Sequence, residues 1–233
     1  MVPRLVVFDL DGTLIDSRVD LANSVNATLA HLGRPSLPDA VIAGYIGDGV
    51  SMLVRRALGD PEGDTHDEEY VSEAITYFLD YYRDHKLDFT YVYEGVCEAL
   101  EEIRAELPGV AMAVLTNKPV RPSRDICAHF GLDKFFFQNY GGNSFHTKKP
   151  DPAGLLSLMA EARAVGDAGM VRPDETVMVG DSAVDVLTAR NCGARSVGCL
   201  YGLAPHTLAA AGPDATVTSP LEWLKVIKRI APG

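Results

Sequence analysis

Leu5-Val6-Val7-Phe8-Asp9-Leu10-Asp11-Gly12-Thr13-Leu14 is the stretch whose reading decides the fold. Leu5 to Phe8 is apolar at every position, so it has no solvent face and reads as a buried parallel strand. Asp11-Gly12-Thr13 then breaks the run. Asp9 sits where the apolar run ends, and an ionised carboxylate there is costly unless it is paired or bound to a cation.

Beyond Leu14 the chain reads as helix after helix. Leu21, Val25, Leu29 and Leu32 share one face of a segment over 17–32, with Asp16 or Ser17 at its start and Gly33 at its end. Ile46-Gly47-Asp48-Gly49 interrupts the next helical stretch, which resumes at Val50 and carries Leu53, Val54, Ala57 and Leu58. Residues 59–67 read as a loop and 68–85 as a long helix. From about 95 the pattern becomes alternation. Strands are expected at 110–115, 176–179, 195–200 and 214–217, and Phe135-Phe136-Phe137 opens a short extended segment. Helices are expected between the strands and over 221–230. Alternation of this kind means a parallel sheet covered on both faces. The expected fold is α/β: a Rossmann-like three-layer core over 1–15 and 92–233, with an inserted helical domain over 16–91.

Ligands bind outside the carboxyl ends of such strands. Asp9, Thr116 and Asp181 all stand at expected strand ends. Asp9, Asp11 and Asp181 offer oxygen ligands without a cysteine or histidine beside them, which suits Mg2+, with Mn2+ and Co2+ as alternatives. Asp11 taken alone equally suits a turn or helix cap.

The 21 Lys and Arg against 32 Asp and Glu, a formal net charge of -11, exclude a general nucleic-acid surface. Cys97, Cys127, Cys192 and Cys199 form no C-x-x-C pair and no zinc pattern. Met1-Val2-Pro3-Arg4 leads straight into the first strand, with no signal-peptide pattern and no run of about 18 apolar residues anywhere, so the expectation is a cytoplasmic protein without a membrane partner. No feature separates a monomer from a homodimer.

Phe8-Asp9-Leu10-Asp11-Gly12-Thr13-Leu14 resembles the first motif of the haloacid-dehalogenase-like superfamily of phosphatases. Leu115-Thr116-Asn117-Lys118-Pro119 resembles its second motif, Lys149-Pro150 its third, and Gly180-Asp181-Ser182-Ala183-Val184-Asp185 its fourth. The resemblance implies that Asp9 is the nucleophile and Asp11 the general acid and base. It implies that Thr116 and Asn117 bind the phosphoryl group and that Lys149 neutralises charge. Asp181, the Asp9 carboxylate and the Asp11 carbonyl would hold Mg2+, and Asp185 would orient Lys149 or a metal-bound water. Gly12 and Gly180 would let backbone amides approach the phosphoryl oxygens. Lys149 is preferred to Lys148 because it directly precedes Pro150, and Lys118 is kept outside the catalytic set.

The helical insert resembles the cap of one branch of that superfamily. Within the branch, Asp16-Ser17, Asp20-Leu21, Ile46-Gly47-Asp48-Gly49, Gly141-Gly142 and Tyr201-Gly202 resemble the phosphoglycolate phosphatases. That implies a small phosphorylated organic acid, 2-phosphoglycolate, as substrate. Gly47, Asp48 and Gly49 at a helix start, and Arg55 or Arg56, would read its carboxylate. Asn143 departs from the family, which often has Asp after the glycine pair. Rival readings are another small-molecule phosphatase, a pyrophosphatase or a sugar phosphomutase of the same superfamily, a dehalogenase, which Asp11 argues against, and an inactive scaffold that retains the fold.

Overall fold

The first strand, β1 (Leu5–Phe8), is buried along its whole length and lies at the centre of a six-stranded sheet. The structure, a computed structural model, describes residues 3–162 and 170–230; Met1 and Val2 of the amino-terminal reading lie outside them. The chain divides into two compact units. One joins the chain up to Asp16 to the chain from Val92 onward, and the other is Ser17–Tyr91. The short strands β2 (Ile15–Asp16) and β3 (Tyr91–Val92) flank the second unit in sequence.

In the first unit, β4 (Ala111–Leu115), β5 (Gln138–Tyr140), β6 (Thr176–Gly180), β7 (Arg195–Cys199) and β8 (Ala215–Val217) complete the sheet in the order β5-β4-β1-β6-β7-β8. Every pairing is parallel. Phe8 stands opposite Val114 on one side and Val179 on the other. This register brings the residues just past those three strand ends, Asp9, Thr116 and Asp181, to one edge of the sheet.

The helices α5 (Val96–Glu106), α6 (Val120–His129), α7 (Ala153–Glu161), α8 (Ala183–Cys192), α9 (Leu208–Ala211) and α10 (Trp223–Ile230) come from the connections and the carboxyl end. Leu5 and Val7 share one core cluster with Leu155, Leu158, Met159, Met178 and Ala189. Phe8 instead packs against Trp223 of α10, with ring centroids 5.1 Å apart. Alternate residues of β1 thus enter different packing layers, which is why no polar residue interrupts the strand.

The extended segment expected to open at Phe135 starts later, at Gln138. Asp133–Phe135 is a turn of 3-10 helix, closed by Phe135 N–H donating to Leu132 O and Phe136 N–H to Asp133 O. Phe135 is buried there and Phe137 exposed. The aromatic run meets its packing demand from a turn, and a short apolar run does not by itself distinguish the two.

The second unit contains α1 (Arg18–His31), α2 (Asp39–Ala43), α3 (Val50–Leu58) and α4 (Glu68–His85). Leu21, Val25, Leu29, Ile42, Leu53, Val54, Val71 and Phe78 close its core. Asp67 caps α4 by accepting from Tyr70 N–H at 2.9 Å. No helix among the described residues is long and apolar enough to cross a membrane.

Asp20, in the first turn of α1, is buried and accepts from the Phe89 N–H at 3.0 Å, the Thr90 N–H at 2.8 Å and the Thr90 hydroxyl at 2.7 Å. One carboxylate therefore ties the start of this unit to its end. Asp20→Ala leaves two backbone donors without their acceptor, a loss of about 2–4 kcal/mol. It is expected to lower the thermal unfolding midpoint measured by circular dichroism, with Asp20→Asn intermediate. An unchanged melting curve for Asp20→Ala would remove this role.

Candidate active site

Asp9 is placed by the parallel ladder itself: its N–H donates to Val179 O at 2.9 Å, continuing the β1–β6 pairing by one residue. Its carboxylate, on a side chain 10% exposed, accepts from Leu10 N–H at 2.7 Å and lies 2.9 Å from the Lys149 ammonium. Lys149 arrives from the connection between β5 and α7, through a cis bond to Pro150. It also donates to Asp185 Oδ1 at 2.6 Å. Asn117 secures that connection, its side-chain amide donating to Lys149 O at 3.1 Å.

Asp185 has two tasks, one for each oxygen. Oδ1 meets Lys149, while Oδ2 accepts from the Ser182 N–H at 3.1 Å and the Ser182 hydroxyl at 2.7 Å, at the start of α8. The carboxylate that organises the helix start is thus also the one that aims the lysine.

Asp181 follows β6 and is 3% exposed. Its Oδ2 accepts from Leu203 N–H at 2.6 Å and Ala204 N–H at 3.0 Å, both in the connection after β7. That connection fits only because residue 202 is glycine: a Cβ there would lie 2.3 Å from Asp181 Cβ and 2.4 Å from Gly12 O. Gly12 is constrained twice, by φ of +84° and by a Cβ position 2.2 Å from Asp181 Oδ2. Tyr201 adds a hydroxyl that donates to Thr13 O at 2.9 Å.

Oxygens of Asp9, Asp181 and Asp185 all lie within 4.8 Å of one another. Burial, the Asp185 charge and the Asp9 charge push the Asp181 carboxyl up to about 8. Burial also raises Asp9, against the pull of Lys149 and with Asp185 adding to the rise, to about 6. For Lys149, burial works against the ammonium, but Asp185 and Asp9 outweigh it and raise its pKa. Negative charge is in excess even with Lys149 in place. A small divalent cation with oxygen preference fits this donor set, and Asp9 and Asp181 have the means to hold it. Asp185 is engaged on both oxygens and serves better as the orienting group.

The Asp11 carboxylate stands apart from that trio. It takes the Lys118 ammonium at 2.9 Å on Oδ1 and 3.1 Å on Oδ2. Lys118, outside the catalytic set in the sequence reading, is 5% exposed and is the cation beside Asp11. Its position after a strand-end Thr-Asn was the only available signal. Thr116 is buried, and its Oγ1 accepts from Lys118 N–H at 3.2 Å. Asn143 Oδ1 accepts from Val120 N–H at 2.8 Å, so the amide oxygen of the departing residue reaches the first turn of α6.

Gly47, Asp48, Gly49, Arg55 and Arg56 all fall in the second unit. Gly47 and Gly49 have φ of +120° and +84°, and Gly49 precedes the first turn of α3. Arg55 is held by the buried Asp60 at 3.2 Å and by Glu68 at 2.6 Å. Arg56 meets Asp48 at 2.5 Å and donates to Tyr45 O at 3.1 Å. Both guanidiniums have acidic partners inside their own unit.

Residues 6–199 match the family model of haloacid dehalogenase-like hydrolases. The chain is 41% identical over 203 residues to the phosphoglycolate phosphatase of Pseudomonas putida, covering 86% of this chain and 71% of that protein. It is 37% identical over 226 residues to the phosphoglycolate phosphatase of Chromobacterium violaceum, covering 97% and 96%. Among solved structures, a predicted phosphoglycolate phosphatase from Haemophilus somnus superposes with a TM-score of 0.85 at 31% identity, over 96% of this chain and 97% of that one.

The fit around residue 202 has a direct consequence. Gly202→Ala forces a methyl group into Asp181 and the Gly12 carbonyl, and is expected to weaken the binding of any divalent cation held by Asp181 at least about tenfold by titration calorimetry, in line with the effect of losing groups that orient a metal ligand. Wild-type affinity in the variant would mean that this loop does not set the Asp181 carboxylate.

Proposed function

The chain belongs to the haloacid dehalogenase-like hydrolases, and on that premise we propose that it is a Mg2+-dependent phosphomonoesterase acting through a phosphorylated Asp9, with 2-phosphoglycolate as substrate. The observation that carries this reading is Lys149 held between Asp9 and Asp185, with Asp181 gathered to the same buried strand ends. The substrate assignment rests on the relatives, two of which cover most of this chain and are phosphoglycolate phosphatases.

A phosphate monoester brings negative charge toward carboxylates that already repel it. Lys149 offsets part of that charge, and a bound Mg2+ would supply more and polarise the phosphoryl oxygens. An Asp9 oxygen attacks phosphorus while the bond to the ester oxygen breaks. The departing electron pair is captured as the leaving oxygen takes a proton from Asp11. Water then attacks the phosphorus of the aspartyl phosphate, giving its proton to Asp11, and phosphate leaves as the Asp9 carboxylate is regenerated. Splitting the displacement in two lets the protein use a nucleophile fixed by its own strand. Thr116 and Asn117 border the phosphoryl position, and catalysis of this kind is mostly positioning and fixed charge.

Asp9→Asn is expected to abolish both turnover and acid-stable incorporation of phosphate from a labelled ester, with the melting curve retained; turnover near wild type would sink the nucleophile assignment. In a steady-state panel of small esters with Mg2+, 2-phosphoglycolate is expected to have a kcat/KM at least about tenfold above glycerol phosphate, glucose phosphates and pyrophosphate. Chelation should remove activity and added Mg2+ restore it. A sugar phosphate or pyrophosphate at the head of the panel would keep the chemistry and displace the substrate.

A further inference from the structure

Two lysines stand at the sheet's end, and each holds a different carboxylate. Lys149 serves Asp9 and Asp185. Lys118 reaches Asp11, 107 residues away in sequence, from the connection that follows β4, the strand next to β1. Its ammonium bridges both Asp11 oxygens, at 2.9 and 3.1 Å. A single cation on both oxygens removes the carboxylate's freedom to rotate and leaves each oxygen a lone pair for another partner.

Lys118 is itself fixed. Its N–H donates to Thr116 Oγ1 at 3.2 Å, and its carbonyl accepts from Gly142 N–H at 2.8 Å. Its side chain is 3% exposed, against 12% for Asp11. The lysine is the enclosed partner and the carboxylate the one with an opening to the outside. A buried ammonium costs several kcal/mol of desolvation, and apolar replacements of such pairs are often no less stable. Stability alone is therefore a weak account of the pair.

We propose that Lys118 is a positioning residue: it holds the Asp11 carboxylate where proton exchange with the leaving oxygen takes place. This rests on the reading of Asp11 as acid and base given above. Proton transfer needs the acid within hydrogen-bond reach of the departing oxygen. A misplacement of about 1 Å can cost ~10²-fold. Asp9, held from the other lysine, keeps its geometry when Lys118 is changed, so the two roles separate experimentally.

The test compares phenyl phosphate with p-nitrophenyl phosphate, two esters of similar shape whose leaving groups differ in their need for a proton. The quantity is kcat/KM, which reports the steps through transfer to Asp9 and not the shared hydrolysis that comes after. Lys118→Met removes the charge at similar length. It is expected to lose at least about tenfold more on phenyl phosphate than on p-nitrophenyl phosphate, with inhibition by inorganic phosphate little changed. Lys118→Arg should recover part of that difference, and Asp11→Asn should show the same imbalance more strongly. Melting curves accompany each variant, and Lys118→Gln carries the same comparison if the Met variant does not fold. Equal losses on both esters in the Lys118 variants, or phosphate inhibition weakened in step with them, would overturn the positioning role while Asp11→Asn kept its imbalance. Equal losses in Asp11→Asn itself would instead overturn the acid–base reading of Asp11.

Discussion

Negative charge crowded at the carboxyl end of a buried sheet is the constraint around which the first unit is arranged. Asp9, Asp181 and Asp185 lie close enough to share one ion, and all three are nearly excluded from solvent. Such a group is unfavourable as a set of bare carboxylates, because burial and mutual repulsion both oppose ionisation. Its persistence requires cations and donors placed by other parts of the chain. Lys149 supplies the cation, Ser182 and the Leu203 and Ala204 amides supply donors, and the oxygen-only character of the set suits Mg2+.

Parallel topology makes this placement possible. In a parallel sheet every strand ends on the same edge, so residues just past β1, β4 and β6 become neighbours whatever their separation in sequence. β1 at the centre puts Asp9 between the connections that carry Thr116 and Asp181. The register then determines the fine spacing: Asp9 N–H is still part of the ladder, so the proposed nucleophile is held by main-chain hydrogen bonds rather than by a loop. Glycines at 12 and 202 are a consequence of that closeness, since the Asp181 carboxylate occupies the space a methyl group would need.

The second unit shows the same economy on a smaller scale. Its core is an apolar cluster among four helices, and Asp20 closes its two ends by accepting from three donors. Arg55 and Arg56, which looked like candidates for a substrate carboxylate, have their charge met by Asp60, Glu68 and Asp48 within the unit. A cation read from sequence has no visible partner, and the folded chain shows which acids lie beside it.

Read in line, the sequence already contained the alternation of strands and helices, the run of helices that follows the first strand and the strand-end positions of Asp9, Thr116 and Asp181. These depend on local periodicity and on where an apolar run stops, which a linear reading detects. It also carried Lys149 and Asp185, through motifs short enough to be read in line. The strand order, the turn at Phe135, the pairing of Lys118 with Asp11 and the acid partners of Arg55 and Arg56 emerge only in the folded chain. The amides of Leu203 and Ala204 were beyond reach for another reason: a backbone N–H is the same at almost every residue, so its use at a site leaves no mark on side-chain identity. Pairings of charge are decided by which strands become neighbours, and that choice reflects packing of the whole sheet rather than any one segment.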